Sequence, residues 1–119
     1  GKGVDVIYDA VGGPYTEPAL RSMAWKGRLL VVGFAAGDIP KIPLNLTLLK
    51  GCSIVGVFWG DFTKREPKNN AASLRELGMW FMQGKLKPHI SATYPLAGAA
   101  DALNDMMNRK VMGKVVLVP

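Results

Sequence analysis

Apolar positions in this chain fall in short blocks separated by glycine, proline and polar clusters, and the spacing inside each block predicts an element. Residues 4–8, VDVIY, form a compact apolar run that stops at Asp9-Ala10-Val11-Gly12-Gly13. A run of that length closed by glycine predicts a buried strand. Tyr15, Ala19, Leu20 and Met23 share one face of residues 14–25, which predicts a helix, and Gly27 stands where a left-handed cap would end it. Residues 28–32 are almost entirely apolar, the pattern of a strand covered on both faces in a parallel sheet.

A loop with Pro40 and Pro43 leads to a short predicted helix at residues 44–50, and residues 53–59 read as a third strand. Thr63 and Glu66 have capping-box spacing, and Pro67 suits the first turn of a helix. That helix carries Ala71, Leu74, Leu77 and Phe81 on one face and ends at Gly84. The order strand, helix, strand, short helix, strand, helix predicts an α/β fold, one half of a doubly wound parallel sheet. The tail changes character, with strands at 88–94 and 114–118 around a helix at 97–108. Gly, Lys and Pro near 84–88 place the expected boundary there, between residues 1–84 and 85–119.

Composition narrows the classes. The 119 residues suffice for one ordinary domain, and a 49% hydrophobic content argues against disorder. No apolar run approaches the ~18 residues that span a bilayer, so no membrane partner is expected. The net charge of +6 is spread over small groups such as Lys64, Arg65 and Lys68, or Arg109, Lys110 and Lys114. A solvated basic surface fits that scatter, and a nucleic-acid partner does not. Cys52 and His89 are each the sole residue of their kind, which rules out a disulfide framework or a Cys-rich zinc site within the chain. Both are read as structural, no metal is expected, and a reducing, cytoplasmic location follows. Residues GKGVD run into a strand with no initiator methionine or signal sequence, so the chain is expected to begin inside a longer protein.

Three glycine-bearing turns follow apolar strands: Val11-Gly12-Gly13, Gly33-Phe34-Ala35-Ala36-Gly37 and Phe58-Trp59-Gly60. Ligands of open α/β sheets sit beyond the carboxyl ends of the strands, and glycine there lets a ligand approach the backbone. Together the turns predict a shelf for a flat cofactor, and Phe58 and Trp59 either flank a planar substrate or pack in the core. No G-x-G-x-x-G fingerprint, P-loop, Ser-His-Asp set or carboxylate pair occurs, so no catalytic residue is assigned. Asp9 is read as stabilising its own turn.

The stretches GVDVIYDAVGG, LRSMAWKGRLLVVGFAAGDIPKIPLNLTLLKGCSIVGVFWG, GKLKPHISATYPL and RKVMGKVVLV cover almost the whole chain. In these the sequence resembles the medium-chain dehydrogenase/reductase superfamily, closest to its NADPH-dependent quinone oxidoreductase branch. The resemblance implies the carboxy-terminal half of a Rossmann-type domain. It also implies a tail from about Lys85 that returns to an amino-terminal catalytic domain lying, with the pyrophosphate loop, before residue 1. It carries NADPH contacts onto Val11, Gly12, Gly33, Phe34, Ala35, Val57, Phe58 and Trp59, the last three holding the nicotinamide carboxamide. The implied reaction is hydride transfer from NADPH to a quinone or conjugated carbonyl, without zinc, with this chain inactive alone.

Gly33 would then be glycine to admit cofactor, and a valine there should leave the fold largely intact. As the last strand of the sheet in element order, residues 53–59, from Ser53 to Trp59, should lie at an open edge, and with neither charge nor proline to protect it that edge predicts a homodimer built on it. A non-catalytic dimerisation or nucleotide-binding module, a zinc-dependent alcohol dehydrogenase of the same superfamily and an unrelated α/β enzyme such as a methyltransferase are the alternatives.

Overall fold

The computed structural model describes residues 1–119. Contacts gather into two compact units, Gly1–Pro67 and Lys68–Pro119. The first contains strand β1 (Val4–Asp9), helix α1 (Thr16–Arg21), strand β2 (Met23–Val31), helix α2 (Asn45–Lys50), strand β3 (Ser53–Gly56) and helix α3 (Trp59–Arg65). Its strands form a parallel sheet in the order β1-β2-β3. Leu20 of α1, Met23 and Leu29 of β2 and Leu46 of α2 make the core, with Ile7, Val31, Ile42 and Cys52 packed around it. Cys52 thus serves as a small packing residue, as expected.

The predicted helix at 14–25 is shorter than its pattern. Pro14 sits in a 3-10 turn, Gly13–Tyr15, and α1 stops at Arg21 because Met23 and Ala24 are pulled into the sheet, where both are buried. Gly27 is therefore not a helix cap. It lies in β2 beside a register irregularity, where a Cβ would meet Met23 Cε at 2.5 Å and the carbonyls of Ala24 and Val4 at 3.0 Å. Nor are both faces of the sheet covered within this unit: α1 and α2 pack on one, and Val6 and Tyr8 point outward, exposed.

The third strand is also shorter than predicted. β3 ends at Gly56, and Trp59 opens α3 rather than closing a strand. The Thr63 hydroxyl donates to the Gly60 carbonyl inside α3 instead of capping the following helix.

The second unit holds helix α4 (Pro67–Met82), strand β4 (Ile90–Pro95), helix α5 (Ala99–Met107) and strand β5 (Lys114–Val118). Pro67 opens α4, and Gly84 beyond its end takes a positive φ of 68°, both as the sequence predicts. β4 and β5 pair in parallel. The main-chain carbonyl of His89 accepts from Lys114 N–H at 2.8 Å as β5 begins.

Candidate functional site

Register aligns the three strands of the first unit so that Asp9 lies beside Val31 and Val31 beside Gly56. Their carboxyl ends are level, and the turns that follow leave from one rim. Val57 N–H donates to the Val31 carbonyl at 2.9 Å, which brings the third turn to the other two.

The first two turns interlock through main-chain atoms. Val32 and Gly33 N–H donate to the Asp9 carbonyl at 2.9 and 3.3 Å, Ala35 N–H to Ala10 at 3.1 Å and Ala36 N–H to Val11 at 2.9 Å. Gly13 N–H closes the set on Asp38 at 3.1 Å. Gly12, at φ 68°, lies under the Phe34 ring: a Cβ there would come within 2.7 Å of Phe34 Cδ1. Val11, Gly12, Gly33, Phe34 and Ala35 therefore form one cluster, and Val57, Phe58 and Trp59 reach the same rim.

Asp9 anchors this rim with its side chain as well. Oδ1 accepts from Val11 N–H at 3.0 Å and Gly12 N–H at 2.8 Å, and Oδ2 accepts from the Thr16 hydroxyl at 2.7 Å. Burial, leaving the residue 8% exposed, pushes its carboxyl up. The bonds from Gly12, Thr16 and Val11 outweigh burial and hold it below its ordinary value. Asp9 stabilises its own turn, as the sequence suggests, and fastens that turn to α1 through Thr16.

Two cavities open on these residues. Gly56, Val57, Phe58, Trp59 and Phe62 line one of about 440 Å³. Asp9, Thr16, Val31, Phe34, Ile39, Pro40, Ile42 and Ile54 line another of about 170 Å³. Phe58 and Trp59 are 77% and 64% exposed, which settles the choice against core packing within the chain. Phe62 and Thr16 escaped sequence reading. Trp59 and Phe62 are three apart, a helical spacing that becomes visible only once residue 59 is removed from the strand.

The main-chain groups at the rim divide into those already bonded and those left open. The amides of Val11, Gly12, Gly33, Ala35 and Ala36 all serve internal bonds, so the interlocked turns offer shape, not the open N–H cradle a phosphate needs. Val57 C=O and Trp59 N–H enter none of the loop hydrogen bonds and leave an acceptor and a donor, the complement of a carboxamide. No three His, Cys, Asp or Glu side chains come together in this chain.

A profile of the zinc-binding dehydrogenases matches residues 1–117. A quinone oxidoreductase-like protein 2 homolog of Nematostella vectensis is 42% identical over 98% of this chain and 32% of its own length. The quinone oxidoreductase of Sus scrofa is 36% identical over 98% of the chain and 34% of its length. The chain thus spans about a third of these relatives. A mycobacterial protein solved in complex with NADPH matches at a TM-score of 0.86 and 29% identity, over 99% of this chain and 36% of that one. The likeness makes the fold here half of a Rossmann-type doubly wound sheet with its following tail.

Proposed function

Since the chain belongs to the zinc-binding dehydrogenase family, in its quinone oxidoreductase branch, we propose that the protein containing it transfers hydride from NADPH to a quinone or conjugated carbonyl. This segment supplies the nicotinamide side of the site. The observation that carries the reading is the level ending of β1, β2 and β3, with five candidate residues interlocked and three more on the same rim.

When bound, NADPH supplies the hydride, and a solvent proton completes the reduced acceptor. The chain's own residues do the placing. Val57 C=O and Trp59 N–H would hold the carboxamide and so fix which ring face is presented. The Phe34 ring over Gly12 and the backbone of Gly33 and Ala35 bound the shelf. Phe58, Trp59 and Phe62 give the neighbouring cavity an apolar lining that receives a flat acceptor and keeps water away.

Residues 1–84 belong, on this reading, to the cofactor domain and 85–119 to a tail that packs toward a catalytic domain. The enzyme is metal-free and cytoplasmic, and it is a homodimer through β3. For the alternative of a zinc-dependent alcohol dehydrogenase, the support is the family's description and the likeness to solved alcohol dehydrogenases.

The test is NADPH consumption by the full-length protein with a naphthoquinone acceptor. Quinone-dependent oxidation is expected. A protein that binds NADPH but reduces no quinone or enone defeats the acceptor class, and one that binds no NADPH defeats the cofactor.

A further inference from the structure

Asp9 is the one residue that bonds directly to three of the eight candidate contact positions. Its carboxylate takes the amides of Val11 and Gly12, and its carbonyl takes that of Gly33. The same side chain lines the cavity of about 170 Å³ beside Phe34. Its second oxygen is held by Thr16, a buried residue at the start of α1.

We propose that Asp9 is a positioning residue for hydride transfer, setting the height and tilt of the shelf on which the nicotinamide end of the cofactor lies. The inference rests on the shelf reading given above. Two amides drawn onto one buried oxygen turn the Val11–Gly12 peptide groups inward, away from the rim. The turn then presents the exposed Val11 side chain to the ligand, with Gly12 buried beneath the Phe34 ring. An uncharged ring can lie against such a surface, whereas inward-turned amides give an anion nothing to bind.

Gly12 makes this arrangement possible, since its φ of 68° is the left-handed region that a side chain resists. Thr16 ties the assembly to α1, so the shelf is fixed against a helix rather than floating on a loop. Asp9 touches neither cofactor nor substrate on this account, and acts only through Val11, Gly12 and Gly33.

Three variants of the full-length protein test the assignment. Asp9→Ala removes every side-chain bond at once. Asp9→Asn keeps an oxygen for both amides and a polar group toward Thr16. Thr16→Val removes the outer tie alone.

Asp9→Ala is expected to raise KM for NADPH about tenfold, the size of losing bonds to a charged acceptor. Affinity for 2′,5′-ADP, which lacks the nicotinamide end, should stay at its original value. Asp9→Asn should restore most of the loss, and Thr16→Val should lie between. A residue that merely supports the fold would weaken both ligands together.

Equal loss of NADPH and 2′,5′-ADP affinity therefore overturns the positioning role, as does unchanged NADPH KM in a folded Asp9→Ala. If Asp9→Ala fails to fold, Thr16→Val decides on the same two ligands. Failure of the unsubstituted protein to bind NADPH overturns the shelf reading itself, and with it this one.

Discussion

The indole of Trp25 lies over Gly51: a Cβ placed on Gly51 would stand 1.9 Å from Trp25 Cζ3. Gly51 ends α2 in the left-handed conformation, φ 56°, and its carbonyl accepts from Lys26 N–H at 2.8 Å. The contact joins the irregular part of β2 to the end of the helix packed on it.

Gly51→Ala should therefore destabilise the protein by about 1–2 kcal/mol, mostly left-handed strain with a smaller cost for displacing the exposed Trp25 ring. Trp25→Ala in the same chain removes the steric part and leaves about 1 kcal/mol of backbone strain. Urea unfolding of the two single variants and the double variant measures the coupling, and additive losses would contradict the contact.

Gly33→Val tests where that glycine points. The sequence suggests glycine at 33 to admit cofactor, with the fold tolerating valine. In the structure a Cβ at Gly33 faces the Ala10 carbonyl at 3.3 Å, so the added bulk presses on the interlocked turns. The expected outcome is a lowered Tm together with a raised KM for NADPH. A normal Tm would mean that the bulk is met by cofactor alone.

The Asp9 carboxyl gives a pH signature. Its pKa is lowered in the folded chain relative to 3.8, so the stability it contributes is complete above that value and is lost as pH falls through the lowered folded value. The stability difference between the unsubstituted protein and Asp9→Asn should be constant near neutrality and shrink below about pH 4. Denaturant midpoints across that range measure it, and a gap unchanged down to pH 3 would contradict the carboxylate's role.

The proposed homodimer has a sharper test than proline anywhere in β3. Val57 N–H faces β2, so by alternation the Val55 amide does too, whereas those of Ile54 and Gly56 face the open edge. Ile54→Pro should then give a folded monomer by light scattering, and Val55→Pro should disrupt the sheet itself. A dimer that survives Ile54→Pro would place the interface elsewhere.

For the 119-residue chain alone, weak NADPH binding and no quinone turnover are expected, because the shelf offers no phosphate cradle. Calorimetry showing low-micromolar affinity would contradict this.

Much of the fold was legible because glycine, proline and apolar runs mark it locally. Pro67 and Gly84 bracket α4, and 53–56 and 114–118 read as strands from their β-branched residues. The errors arose where tertiary contacts overrode a local pattern. Met23 fits the helical face of Ala19 and Leu20, yet burying it in the core draws it into β2. Phe58 and Trp59 continue the apolar run of β3, but Val57 makes the last rung to Val31 and the chain coils directly after Phe58. The rim positions were readable as glycine turns. The interlock between them was not, since main-chain bonds such as Ala36 to Val11 carry no side-chain signal.

That interlock bears on descent. A site shaped by bonds between main-chain atoms is inherited through the path of the chain, and mutation can rewrite most of its letters without redrawing it. Lineages can drift at Ala10, Val11, Ala35 and Ala36 among side chains that spare the rim. Change is penalised where volume or charge is fixed, at Gly12, Gly33 and Asp9.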